Sequence, residues 1–144
     1  LENPSLLREA YLAFGSQSVV LSIDAGRAGQ GWHAFMKGGR IDSGLEVVDW
    51  ARKGIELGAG EILLNSIDRD GTKEGYDLEL LRTISDKVSV PVIASGGAGH
   101  LEDIYEAINT GQADAVLLAS LLHFGQLTIP EIKNYLKSKG VKVR

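Results

Sequence analysis

Two stretches of this chain carry residue types that could do chemistry at a spacing that suits it. They are Asn65-Ser66-Ile67-Asp68-Arg69-Asp70-Gly71-Thr72 and Pro91-Val92-Ile93-Ala94-Ser95-Gly96-Gly97-Ala98-Gly99. Each is an apolar, β-branched run that stops abruptly in small and charged residues just before a helical pattern begins. In a parallel α/β sheet that junction is the carboxyl end of a strand, where such folds place their ligands. The first junction offers carboxylates and a hydroxyl. The second offers consecutive backbone N–H groups unobstructed by side chains, which suits a phosphate. A third run, Val19-Val20-Leu21-Ser22-Ile23, ends on Asp24, a further carboxylate. A strand-end Asp is more often a turn or cap residue, and Asp70-Gly71 and Gly96-Gly97 also read as tight turns. Taken together, the junctions point to an enzyme acting on a phosphorylated small molecule.

The elements that must position these residues follow from the periodicity. Residues 4–14 read as an amphipathic helix, with Asn3 as N-cap, Pro4 at the first helical position and Gly15 as the stop. Residues 18–23 read as a buried strand closing on Asp24. Residues 32–42 read as a small hairpin turning at Gly38-Gly39. A helix is expected over 44–57, ended by Gly58 and Gly60. Three strand–helix units follow: 61–67 then 77–87, 90–94 then 101–109, and 113–119 then 129–138, with Thr128 capping the last helix. The chain therefore reads as a single α/β domain over 1–144, one leading helix followed by four βα units around a parallel sheet. A doubly wound sheet could close with so few strands. A (β/α)8 TIM-type barrel needs eight strands and about 250 residues, so this chain would be half of one. The leading helix, with no strand before it, favours the half-barrel.

Composition narrows the function classes. The 144 residues are 44% hydrophobic and 24% charged, with a formal net charge of −4 and a pI near 5.3. No positive field is available for nucleic acid or an anionic membrane surface. The chain has no cysteine, which removes disulfides, thiolate nucleophiles and Cys-based metal sites and fits a reducing cytoplasm. No apolar run approaches the roughly 20 residues that span a bilayer, and no signal peptide is visible at Leu1-Glu2-Asn3-Pro4-Ser5. The absence of an initiating Met fits a fragment or a processed product. His33, His100 and His123 are not spaced as metal ligands, so no metal or other cofactor is expected. Ser95 and Ser120 have no nearby His, which speaks against a hydrolase triad. Trp32, Phe35 and Tyr76 read as packing residues, and Asp68 and Arg69 as residues that orient their loop.

Several segments occur together and in order: Val19-Val20-Leu21-Ser22-Ile23-Asp24-Ala25, Gly58-Ala59-Gly60-Glu61-Ile62-Leu63-Leu64, Ser66-Ile67-Asp68-Arg69-Asp70-Gly71-Thr72 with Gly75-Tyr76-Asp77, and Ala94-Ser95-Gly96-Gly97-Ala98-Gly99. The combination closely resembles the carboxy-terminal half of the cyclase subunit of imidazole glycerol phosphate synthase, of histidine biosynthesis. The tail from Ala119-Ser120-Leu121-Leu122-His123-Phe124 to Val143 looks like that family's eighth βα unit. The resemblance implies a (β/α)8 barrel of which this chain supplies strands five to eight. It implies a cytoplasmic, lyase-type cyclase that takes ammonia from a glutaminase subunit. The ammonia converts the phosphoribulosyl formimino aminoimidazole carboxamide ribotide into imidazole glycerol phosphate and aminoimidazole carboxamide ribotide.

The same resemblance assigns roles to residues. Asp24 would be one of two catalytic carboxylates, and Asn65 would lie near the reacting centre. Asp70, Gly71 and Thr72 would line the site near one phosphate, while Ser95, Gly96, Gly97, Ala119 and Ser120 would cradle phosphate. Glu61, at the other end of its strand, would belong to a charged ring where ammonia enters and the partner sits. The first four βα units, with the second catalytic Asp, are absent from this sequence. The chain is therefore expected to self-associate, most simply as a homodimer, or to pair with an amino-terminal half-barrel. Two alternatives stand beside this one. The sister isomerase of the pathway shares the phosphate cradles but lacks the Asp-Arg-Asp-Gly-Thr loop. A truncated or engineered phosphate-binding half-barrel would bind without turnover.

Overall fold

The computed structural model describes residues 1–143. Helix α1 (Ser5–Phe14) leads through a 3-10 turn (Ser16–Ser18) into strand β1 (Val20–Ala28). Strands β2 (Gly31–Met36) and β3 (Ile41–Glu46) precede helix α2 (Val47–Glu56). Then come β4 (Glu61–Ser66), α3 (Leu78–Ser85), β5 (Val92–Ser95), α4 (Leu101–Asn109), β6 (Ala115–Val116), α5 (Ser120–His123) and α6 (Ile129–Ser138). The strands form one six-stranded sheet in the order β3-β2-β1-β4-β5-β6. Strand β1 runs parallel to β4, β4 to β5 and β5 to β6, while β2 is antiparallel to both β1 and β3. Alternation of parallel strands with covering helices is the pattern of an open segment of a (β/α) barrel.

Four sequence expectations need correction here. The sheet is mostly parallel, with the hairpin strands β2 and β3 added antiparallel at one edge, and β1 does not close on Asp24. It pairs with β4 over residues 20–25, then continues to Ala28 paired with β2 from Asp24 onward. Glycine makes that extension possible. A Cβ on Gly26 would lie 2.6 Å from Ile67 Cδ1 and 2.8 Å from Phe35, and Gly29 takes φ +58° to turn the chain into β2. Helix α2 starts at Val47, not residue 44, because Leu45 and Glu46 still pair with Ala34 and His33. The last strand is only Ala115–Val116 rather than 113–119. It is held at the edge by β5, and Ser120 instead opens the short α5. Asn3 does not cap α1. Its Oδ1 accepts from Ser5 Oγ at 2.7 Å, and no side chain caps that helix.

The core lies on one face of the sheet. Leu21, Ile23 and Ala25 of β1, Ile62 and Leu64 of β4, and Val92 and Ala94 of β5 are buried under Trp50, Ala51, Leu80, Leu81, Ile84, Ile104 and Ala107 of the helices. Burying each Ile or Leu contributes about 1.5–3 kcal/mol. Period-two alternation sends the intervening residues to the other face. There Val20 and Leu117 remain 47% and 41% exposed. Capping sharpens the helix starts. Thr128 N donates to Glu131 Oε2 at 2.8 Å while Glu131 N donates to Thr128 Oγ1, as the sequence predicts. Asp77 Oδ1 likewise accepts from Leu80 N. Among the described residues, no helix is long and apolar enough to cross a membrane.

Candidate active site at the carboxyl ends of the strands

Strand register brings three of the singled-out side chains into one row. Asp24 lies opposite Asn65, and Asn65 opposite Ser95. Their neighbours Ile23, Leu64 and Ala94 are buried among the helices, so the row stands on the opposite, open face. Asn65 Nδ2 donates to Asp24 Oδ1 at 3.0 Å. That bond fixes the carboxylate and leaves its Oδ2 without a side-chain partner among the described residues. A cleft of about 580 Å³ surrounds this pair, lined by Asp24, Gly38, Gly39, Asn65, Ile67, Asp68 and Asp70. The hairpin turn predicted at Gly38-Gly39 thus borders the carboxylate.

A second, smaller cavity of about 170 Å³ lies beside it. It is lined by Asp70, Gly71, Lys73, Ser95, Gly96, Gly97, Ala98 and residues 117–121, which include Ala119 and Ser120. Among the described residues, the N–H groups of Gly97, Ala98 and Ser120 have no protein acceptor. Asp70 and the Asn65–Ser95 row join the two spaces. Seven of the residues singled out for phosphate therefore meet at one cavity: Asp70, Gly71, Ser95, Gly96, Gly97, Ala119 and Ser120.

Thr72 lies outside both spaces. Its Oγ1 donates to Arg69 O at 2.8 Å and accepts from Glu74 N at 3.2 Å, so it ties the loop to itself. Glu61 sits at the amino end of β4, away from this site. It lines a separate apolar groove with Pro91, Asp114, Lys133 and Lys142.

The glycines have a reason that sequence reasoning missed. Gly97 holds φ +109°, and a Cβ there would overlap the Gly75 carbonyl oxygen, while Gly75 N donates to Gly97 O at 2.8 Å. Gly96, at φ +87°, would place a Cβ 2.7 Å from Ser66 O. A Cβ on Gly99 would overlap Lys73 O. The β4–α3 and β5–α4 loops are thus pressed together backbone against backbone, and only glycine permits that approach. Gly75 stands just before α3 and Gly97 just past β5, so nothing in their spacing along the sequence announces the contact. The dipole of α4 is already answered by the protein itself. Asp103 Oδ2 accepts from Gly99 N at 2.8 Å and His100 N at 2.7 Å. An anion in the small cavity would therefore meet the loop N–H groups and not the start of α4.

Other contacts hold the walls. Arg27 N donates to Asp68 Oδ2 at 2.7 Å, and the Arg27 guanidinium pairs with Glu79 at 2.8 Å while lying 4.2 Å above the Trp32 ring. Trp32 Nε1 donates to Asp77 Oδ2 at 3.2 Å. These bonds bolt the β1–β2 turn onto the start of α3. Trp32 is buried, as expected for a packing residue, and Asp68 does orient its loop. Tyr76 OH donates to Leu117 O at 3.1 Å. Burial, and then the charge of Asp103, push its phenol well above the usual range. Among the described residues, no three His, Cys, Asp or Glu side chains are grouped so as to hold a metal ion.

Residues 1–128 match the family described as "Histidine biosynthesis protein". The imidazole glycerol phosphate synthase subunit HisF of Deinococcus radiodurans is 52% identical over 146 aligned residues, an alignment covering 100% of this chain and 56% of that protein. The subunit of the same name from Prochlorococcus marinus is 56% identical over 147 aligned residues, covering 100% of this chain and 57% of that protein. The chain spans a little over half the length of these curated relatives. With its strand-end residues arranged around two adjoining clefts and 128 of its 144 residues matched, the chain belongs to the histidine biosynthesis protein family.

Proposed function

We propose that this chain is the carboxy-terminal half of an imidazole glycerol phosphate synthase cyclase, with β1, β4, β5 and β6 serving as strands five to eight of its barrel. The observation that carries the reading is the pairing of Asp24 with Asn65 beside a cavity walled by backbone N–H groups. Asp24 acts as a general acid/base, held by the Asn65 amide with Oδ2 available for the proton. The carboxylate partner it needs for the opposite role comes from the amino-terminal half. The glycine-walled cavity takes one phosphate of the formimino ribotide, through Gly97, Ala98 and Ser120 N–H and the Ser120 hydroxyl. That places the reacting part of the substrate along the Asp24–Asn65–Ser95 row. Ammonia from a glutaminase subunit enters from the Glu61 end of the strands. A cytoplasmic location accompanies this biosynthetic role.

The same reading makes the isolated chain a self-associating one. The edge of β1 over residues 20–23 is not paired with β2, β6 is two residues long, and Val20 and Leu117 are exposed on the open face. Such edges and apolar faces seek partners, and two-fold pairing of two copies is the simplest closure. Sedimentation equilibrium at tens of micromolar tests it, with a dimer expected. A monomer with a cooperative melt would sink it.

The activity is tested by mixing this chain with a matching amino-terminal half and following consumption of the formimino substrate in ammonium salt. Turnover is expected from the mixture and little from the chain alone. A mixture containing Asp24→Asn that turns over as fast as the parent would defeat the assignment.

A further inference from the structure

The small cavity carries a charge imbalance that an anionic ligand would aggravate. Asp70 contributes a carboxylate to its wall, and a phosphate placed there would face that carboxylate across a short distance. The one cation among the described lining residues is Lys73. Its backbone is unusual, for Lys73 holds φ +60°, a left-handed conformation that a side chain disfavours and glycine adopts freely. The position is held from outside. The Lys73 carbonyl packs against Gly99 so closely that no Cβ would fit there, and the Thr72 hydroxyl staples the adjoining turn. A turn that glycine would fill without strain carries a lysine instead, which points to work for the side chain.

The ammonium group has a partner that is neutral and replaceable. Lys73 Nζ donates to Gln126 Oε1 at 3.2 Å. Gln126 follows α5, the helix whose first residues form the far wall of the cavity, and its own N–H is anchored on Leu121 O at 2.9 Å. The side chain of Lys73 therefore bridges from the β4–α3 loop to the segment beyond β6.

We propose that Lys73 is the cation of the phosphate site, kept in reserve by Gln126, and that it exchanges the amide oxygen of Gln126 for a phosphate oxygen when the ligand arrives. This rests on the reading of the glycine-walled cavity as a phosphate site and adds to it a specific charge partner. The exchange conserves one hydrogen bond and replaces a neutral acceptor by a charged one, which makes the stronger bond. It also offsets Asp70. The same movement frees the Lys73–Gln126 bridge, so the loops on the two sides of the cavity are linked by that bridge only while the site is empty.

The test uses inorganic phosphate and calorimetric titration of the full chain at low salt. Lys73→Gly removes the charge while keeping the left-handed turn. It should weaken phosphate about tenfold, the loss expected for one charge-assisted hydrogen bond. Lys73→Arg should restore affinity to within about threefold of the parent, since the charge returns. Gln126→Ala should leave phosphate as tight as in the parent or up to about threefold tighter, because it removes the competing acceptor. A thermal melt of each variant confirms that it is folded. Lys73→Gly binding within twofold of a parent that does bind phosphate would overturn the role of Lys73 and leave the cavity reading standing. A parent that binds no phosphate would remove the cavity reading and this inference with it.

Discussion

The two clefts at the carboxyl ends of the strands meet at Asp70 but are walled differently. Around Asp24 the walls are side chains in register on a sheet, and the hairpin glycine Gly38 has nothing within 4 Å of where a Cβ would stand. Around Gly97 the walls are two loops in backbone contact, with no room for a methyl group. The first region can lose a functional group and keep its shape. In the second, shape and function rest on the same atoms. On the proposed reading, proton transfer at Asp24 is therefore separable from folding, and phosphate binding through the unbonded loop N–H groups is not.

Breaking the first region should give the largest effect, and on rate alone. Asp24→Asn in a reassembled barrel is expected to lower turnover by about 10² to 10⁴, the usual weight of one general acid/base. Chemical denaturation of the same variant should shift by no more than about 0.5 kcal/mol. A comparable loss in both measurements would erase the contrast between the clefts.

Breaking the second region should cost stability directly. Gly97→Ala forces a Cβ onto the Gly75 carbonyl at φ +109°, and about 2–4 kcal/mol of destabilisation is expected, with loss of thermal protection by phosphate. The control lies across the site. Gly38→Ala, at φ +66° but in open space, should cost only about 1 kcal/mol, the backbone penalty by itself. Equal costs for the two substitutions would show that φ, not loop contact, sets the glycine requirement.

The bolt between hairpin and α3 sharpens the comparison further. Trp32→Phe keeps a ring beneath Arg27 but deletes the 3.2 Å bond to Asp77, for about 1 kcal/mol in a denaturation curve.

The smallest effect should come from the surface cluster between α4 and α6. The hydrogen bond from Tyr135, and then Lys139, hold the Glu102 carboxyl below its ordinary 4.5, while bonding to Tyr135 and Glu102 raises Lys139 above its ordinary 10.5. A depressed carboxylate stabilises above its unfolded value and loses that contribution as acid protonates it. A raised lysine stabilises below its unfolded value and loses it at higher pH. The small Tm difference between parent and Glu102→Gln should therefore be flat from about pH 5.5 to 9 and shrink as the pH falls through and below the ordinary 4.5, as linkage requires of an exposed, screened group.

Helices α4 and α6 were legible from their apolar stripes, and the start of α6 also from Thr128, where a cap residue and the stripe agree over a short window; the capping role of Asp77 was not read. The continuation of β1 was not. Gly26 and Gly29 look like loop residues until Phe35 and Ile67 are known to lie against the strand. The last strand was overextended because Leu117, Leu118 and Ala119 are apolar enough to read as strand, while pairing at a sheet edge decides where it stops. Within the site, strand ends and the loops after them drew attention to Asp24, Asn65, Asp70 and Gly97, all of which line the two clefts, while the roles expected of them came from the family resemblance. The roles of Arg27 and Lys73 could not be read, since both depend on partners 41 to 53 residues away in sequence.

The hairpin also has a consequence for assembly. On β2's side, strand β1 is left without a strand partner only over residues 20–23, beside Leu1 and Glu2, because β2 claims everything from Asp24 onward. An incoming strand can therefore slide along β1 no farther than Asp24 before it meets the hairpin. The obstruction acts as an end-stop that limits the depth of docking, and it shortens the open margin on which open-ended strand stacking depends.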